Sequence, residues 1–368
     1  MAITRRSSLF SILVLSTALA ACEPSTAPDV GVDFDSEATL DAYQEMDSLL
    51  ASPSLAALDA LAGRTPFGAS PAGVDALAAF RAASAADDGR AFALALAERM
   101  TEIDPTTAGP AAAPIISDFH RGTTFVYDAE SDQYVADPGR DDAPETGVRF
   151  VLYETDLFGS PVSEDEIGYA DLVDEGDDSA EDVALHLTVF AYETTVLDYR
   201  TTLDIQQTGG TLGVHGFLSD PDGGRLDFDI DATSTQVGEG DPMLDVAFEL
   251  AVDEHDFSIN GTVSGVDDNV EGDGTVELTV RHADDSIRLD VEGEAGQIDG
   301  SVFVNGSLFA TVTGDASDPD IASATGDPLT LRELLVLHRI VDGAEDVFDF
   351  LEDLLDPVDE LVFLAIIL

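Results

Sequence analysis

Six histidines, His120, His186, His215, His255, His282 and His338, are the side chains best suited to move a proton near neutral pH, and they stand far apart in the chain. No pair has the H-E-x-x-H spacing that sets two imidazoles on one helix face around zinc, and neither C-x-x-C nor G-x-S-x-G occurs. All 15 basic residues are arginine, which excludes a P-loop lysine, a Schiff-base lysine and a Ser-Lys pair. One loop begins like an EF-hand: Asp267, Asn269 and Glu271 offer oxygens at its first, third and fifth positions, Gly272 is sixth, and Asp273 follows. Its twelfth position is Leu278 in place of the bidentate glutamate, and its flanks read as strands. A solvated hairpin turn is therefore favoured over bound Ca2+, as for the second acidic turn, Asp220 to Gly224. Close carboxylate pairs arise by chance among 75 acids. No catalytic residue, metal or non-covalent cofactor is assigned, and the chain reads as a non-enzyme.

The only cysteine, Cys22, ends an N-terminal segment in which Arg5 and Arg6 precede an apolar run from Leu9 to Ala21. That is the layout of a processed export signal, with the small residues Ala20 and Ala21 before the cleavage point. Leu19-Ala20-Ala21-Cys22 resembles the lipobox of bacterial lipoproteins, a likeness confined to the leader. It implies cleavage between Ala21 and Cys22, a diacylglycerol on the sulfur and an acyl chain on the new amine. One acyl chain anchors marginally and two anchor stably. A thioether sulfur is no thiolate, so lipidation removes Cys22 from the nucleophiles. The alternative is an ordinary signal peptide with Cys22 as a bystander. Glu23 follows where the resemblance would need Asp for inner-membrane retention, which favours the outer membrane of a bacterial cell envelope.

Acids outnumber bases 75 to 15, giving net charge −60. Nucleic acid demands a basic footprint, and anionic lipid surfaces repel such a chain, so contact with a membrane must come through the lipid anchor. Self-repulsion of this size destabilises a compact state at low ionic strength. At about 1 M salt the Debye length falls to roughly 3 Å and the penalty largely vanishes. A saline exterior is the expected setting. GC-biased codons explain the missing lysine as well, but not the acid excess.

What positions these residues is legible as a change of period. Residues 1–21 form the signal peptide, 22–35 an acylated tether, and 36–104 a helical region, opened by the stripe Leu40, Tyr43, Met46 and Leu50. A Pro- and Ala-rich linker covers 105–114. From 115 to 314 the period becomes two, most clearly in Leu185-x-Leu187-x-Val189, Leu226-x-Phe228-x-Ile230 and Leu244-x-Val246-x-Phe248-x-Leu250. Weaker strand candidates cover 122–127, 133–136, 148–153 and 167–173. Antiparallel strands with one wet face are implied.

Turn chemistry predicts registers. A turn at Gly209-Gly210 sets Ile205 against Val214 and Asp204 against His215, the only acid and imidazole pairing derived, whose plain reading is a wet-face cross-strand contact. A turn at Glu254-His255 sets Leu250 against Ile259 and Phe248 over Gly261. One at Asp284-Asp285 sets Val280 against Leu289. Asn305-Gly306 puts apolar side chains on both faces of its hairpin, so that hairpin is either covered on both sides or read in the wrong register. Residues 328–368 return to helix, read from Leu331, Leu334, Leu335, Leu337, Val341, Val347, Phe350, Leu351 and Leu354, with Pro357 as an interruption. The apolar tail from Leu361 is too short to span a bilayer and is expected to pack into the core.

The expected fold is mainly β with helical N- and C-terminal segments: a large curved antiparallel meander or barrel-like sheet covered by helices. The expected function is that of a membrane-anchored, acidic, non-catalytic envelope lipoprotein with a structural or partner-binding role. A carrier holding an apolar ligand such as a lipid in the concave face is the alternative, decided by whether the protein's own helices fill that face. A transmembrane barrel is disfavoured by the lack of Trp and of aromatic girdles.

Overall fold

Alternation of apolar and polar residues makes a ladder of antiparallel hairpins. In the computed structural model of the chain the ladder runs almost without interruption through fifteen strands. The structure describes residues 34–50 and 116–355, apart from 117, 157–159, 177–181, 207–208, 221–222, 237–241, 254–255, 267–273, 295 and 316–317. The signal peptide, the tether, the helices expected beyond residue 50, the linker and the C-terminal tail lie outside the described residues.

The strands are β1 (Thr123–Asp128), β2 (Gln133–Ala136), β3 (Gly147–Thr155), β4 (Pro161–Asp174), β5 (Asp182–Ala191), β6 (Thr194–Gln206), β7 (Gly209–Ser219) and β8 (Arg225–Gln236). They continue as β9 (Pro242–Val252), β10 (Phe257–Val266), β11 (Gly274–His282), β12 (Asp285–Glu294), β13 (Gln297–Val304), β14 (Ser307–Asp315) and β15 (Asp318–Ser323). From β3 to β15 each strand pairs antiparallel with the next; the β1–β2 hairpin joins β3 through a parallel pairing. The outermost strands, β2 and β15, stand at opposite ends of the order. The sheet is thus open, where a barrel-like closure is one of the sequence expectations. β15 lies beyond the expected end of the β region: in Asp318-Pro-Asp-Ile-Ala-Ser323 polar and small residues obscure the alternation.

Among the described residues two helices lie against the apolar face. Helix α1 (Ser36–Leu50) starts at Asp35, whose carboxylate accepts the Ala38 N–H at 3.0 Å as an N-cap. Helix α2 (Leu331–Leu355) starts with a reciprocal capping box: Thr330 Oγ1 accepts the Glu333 N–H, and Glu333 accepts the Thr330 N–H. Arg332 pairs with Glu37 and Arg339 with Asp47, tying the helices together. Tyr43 meets Phe257 edge-on at 5.1 Å, Phe350 meets Phe228 at 5.3 Å, and Phe34 meets Phe309 at 5.7 Å. Tyr199 donates its hydroxyl to the Leu354 carbonyl, in the last turn of α2, where carbonyls have no intrahelical donor. A core tyrosine therefore caps the helix that covers it. Not every apolar residue of α2 is covered: Val336, Leu337, Ile340, Phe350 and Leu354 are buried, but Leu331 and Leu335 are exposed on the outer side.

Three predicted registers require correction. Ile205 pairs with Gly210 and Asp204 with Thr211, so Gly209 and Gly210 are strand residues and the turn lies before them. Gly209 serves close approach: a Cβ there would lie 1.9 Å from the Ser234 carbonyl oxygen of β8. Val280 pairs with Ile287, because the β11–β12 turn is Ala283-Asp284, one residue earlier than predicted. At Asn305-Gly306 the turn is as read, but a bulge follows: Phe303 pairs with Leu308 while Val302 pairs with Ala310. The extra residue, Phe309, flips the strand beyond it and sends Ala310 and Val312 to the core with Val302 and Val304. One apolar face is the result. The hairpin between β9 and β10 has the register expected, Leu250 to Ile259 and Phe248 to Gly261.

Candidate functional site on the polar face

Because strand side chains alternate, each core residue has neighbours facing away from the helices. On β8, Leu226, Phe228 and Ile230 are buried while Asp227, Asp229 and Asp231 form an acid column on the far side. The same parity on β5, β6 and β7 puts His186, Arg200 and His215 beside it. The register aligns them across the sheet, His186 opposite Arg200, Arg200 opposite His215, and His215 opposite Asp229. The Asp204 and His215 contact expected from the sequence does not form, since the true β6–β7 register places Thr211 opposite Asp204.

His215 has carboxylates on two sides. Its Nδ1 lies 2.9 Å from Asp229 Oδ1, and its Nε2 lies 3.7 Å from Asp231 Oδ1, too far for a hydrogen bond. Gly213, two residues before it, has no side chain to occupy the space over its own Cα. A Cβ there would meet His215 Nε2 at 2.6 Å, Thr202 Oγ1 at 2.8 Å and Asp231 Oδ1 at 3.1 Å. Three polar atoms from β6, β7 and β8 thus converge on one point of the sheet surface.

His186 sits in a different setting. Its Nδ1 faces Glu175 at 3.2 Å and its Nε2 faces Asp198 at 2.9 Å, so both ring nitrogens are engaged. Arg200 also pairs with Glu175. This is a closed polar network, partly exposed, and it joins Glu175, just past the end of β4, to the middles of β5 and β6. Further toward the sheet's first strands, Arg149 makes two bonds to Asp171, at 2.6 and 2.7 Å, and lies 3.6 Å over the Tyr169 ring. Its guanidinium is held further above its ordinary pKa chiefly by the Asp171 hydrogen bonds.

On the other side of Asp229 a shallow hollow of about 390 Å³ runs over β9 to β12, with Asp231, Glu249, Asn260, Glu277 and Arg288 among its lining side chains. Charged and amide side chains line it beside Ala247 and Phe248, whereas an apolar carrier needs a predominantly greasy lining. Among the described residues no helix is long and apolar enough to cross a membrane.

Of the site residues read from the sequence, Ala21, Cys22, Asp267, Asn269, Glu271 and Asp273 lie outside the described residues. In the second acidic turn Asp220 Oδ1 accepts the Gly223 and Gly224 N–H groups at 2.7 and 2.9 Å, so its carboxylate helps hold the turn. The partners of His215 escape a sequence reading that derives no register between β7 and β8. Leu226-Asp-Phe-Asp-Ile-Asp231 is the signal that could have found them, since strict alternation puts three carboxylates on one wet column. No protein-family model, curated protein or solved structure matches the chain, so its function must be read from its own side chains and their geometry.

Proposed function

We propose that the protein is a lipid-anchored, non-catalytic component of a bacterial cell envelope, whose sheet presents an acidic polar face and acidic loops to the surroundings. The observation that carries this reading is that the apolar face between β6 and β14 carries the protein's own α1 and α2. Phe350, Leu354, Tyr43 and Leu49 are at most 4% exposed against it. A carrier would keep that face free for a ligand, and a transmembrane barrel would turn it to lipid. What remains for interaction is the opposite face, and a partner that binds it must bring positive charge to a chain of net charge −60. The resemblance at Leu19 to Cys22 supports the anchor, and Glu23 supports the outer membrane.

Mass spectrometry of the mature protein tests the anchor: the N-terminal residue should be Cys22 carrying a diacylglyceryl group and an N-acyl chain. An unmodified N terminus would remove both the anchor and the envelope assignment. Organic extraction of a purified Cys22→Ser variant tests the role. Stoichiometric co-purifying lipid would replace the display reading by the carrier reading.

A further inference from the structure

We propose that His215 and Asp231 form a binding site for a divalent transition metal of the zinc class. The imidazole is oriented for it. With Nδ1 donating to Asp229 at 2.9 Å, Nε2 carries the lone pair and lies 2.6 Å from the point a Cβ of Gly213 would fill, the carboxylate–histidine arrangement that holds imidazoles at metal centres. Asp231 Oδ1 stands 3.7 Å from that nitrogen, close to the roughly 3.3 Å separation of two ligands that each lie about 2.0–2.1 Å from a tetrahedral ion. His215, Asp229 and Asp231 together offer ligand atoms within 4.8 Å of one another. Thr202 Oγ1 reaches the same point from the neighbouring strand and can hydrogen-bond a water on the ion.

The donor set selects the ion. An imidazole nitrogen beside a carboxylate suits zinc, copper or nickel, whereas calcium takes six to eight oxygens. His186 provides an internal contrast, because both its nitrogens already face carboxylates 2.9 and 3.2 Å away. Gly213 keeps the position open, since a side chain there would stand where the ion's shell belongs. The site is half-exposed, with open coordination positions turned to solvent.

The test is a calorimetric titration of the full chain in detergent with Zn2+, at about 1 M sodium nitrate to screen diffuse cation binding by the acidic surface. Long-range 1H–15N spectra of the imidazoles are recorded in parallel. One saturable site is expected, with the His215 Nε2 resonance shifting on binding. His215→Gln and Asp231→Asn should each weaken binding tenfold or more, while His186→Gln leaves it unchanged. A tenfold excess of Ca2+ should not displace the ion. The proposal is overturned if no saturable site appears, or if His215→Gln binds Zn2+ as tightly and with the same stoichiometry as the parent chain. Asp231 is exposed and His215 half-buried on the polar face, so the variants should keep the parent's melting temperature. If Asp231→Asn does not fold, the His215 resonance and His215→Gln decide alone.

Discussion

Replacing Phe350 with alanine probes whether α2 truly roofs the sheet. The ring is 4% exposed and meets Phe228, itself 3% exposed, edge-on at 5.3 Å. Truncating a phenylalanine so enclosed costs about 3–5 kcal/mol, from lost transfer free energy and the cavity left behind. On a loosely docked helix the same change would cost no more than about 0.5 kcal/mol. With a urea m-value of about 3 kcal/mol/M, the midpoint should fall by about 1–1.7 M at unchanged m. A fall below about 0.3 M, with m preserved, would refute the packing of α2 described above. Tyr199→Phe removes the cap on the Leu354 carbonyl and should cost about 1 kcal/mol. Tyr199 and Phe350 both touch Phe228, so the double variant should deviate from the sum of the single ones.

Thr201 lies on the apolar face between Leu185 and Val214, fully buried, with no hydrogen-bond partner for its hydroxyl. Thr201→Val should therefore raise stability by about 1 kcal/mol in the same urea assay, and a loss would mean that the hydroxyl is satisfied. The melting temperature of the intact chain should rise between low and molar salt as screening relieves a net charge of −60; a flat or falling profile would dispose of salt adaptation. Tyr153 is pushed above the ordinary tyrosine pKa by burial and then by the Glu166 carboxylate, and Tyr192 by burial and its hydrogen bond to Glu154. The folded state thus holds the neutral phenols more firmly than the unfolded chain does. Their contribution to stability is intact below pH ~10 and is lost as pH rises through the folded-state values. Ultraviolet titration should find these two ionising at higher pH in the folded protein than the phenols of the urea-unfolded chain do, and Tyr153→Phe should blunt the alkaline fall in melting temperature.

Which face each strand buries was legible because a period of two survives errors of register. Ile205 to Val214 was read where Ile205 to Gly210 occurs, and Val280 to Leu289 where Val280 to Ile287 occurs. Moving a turn by whole residues re-pairs the strands yet leaves each strand's own alternation intact, so the core residues were still sorted correctly. Turns were less legible because glycine has two uses. Gly209 looked like a hairpin residue but permits the close approach of β8, and the β11–β12 turn instead uses Ala283 at φ 50°. Bulges are not legible: nothing local marks Phe309 as the extra residue, whose ring meets that of Phe34, a residue 275 positions away in the chain. The pairing of His215 with Asp229 depends on the β7–β8 register, which the turn from Asp220 to Gly224 does not specify in the sequence, although alternation alone puts both side chains on the polar face.

The sheet's rims carry a further consequence. Among the described residues the ladder ends in strands with no further strand beside them, an invitation for copies of the chain to stack edge to edge into fibres. On β15 the carboxylates of Asp318 and Asp320 repel an identical rim, and Pro319 withholds a donor; β2 ends after only four residues. Brine would mute the charges but not the proline or the brevity, so polymer growth from either rim should stay blocked in concentrated salt.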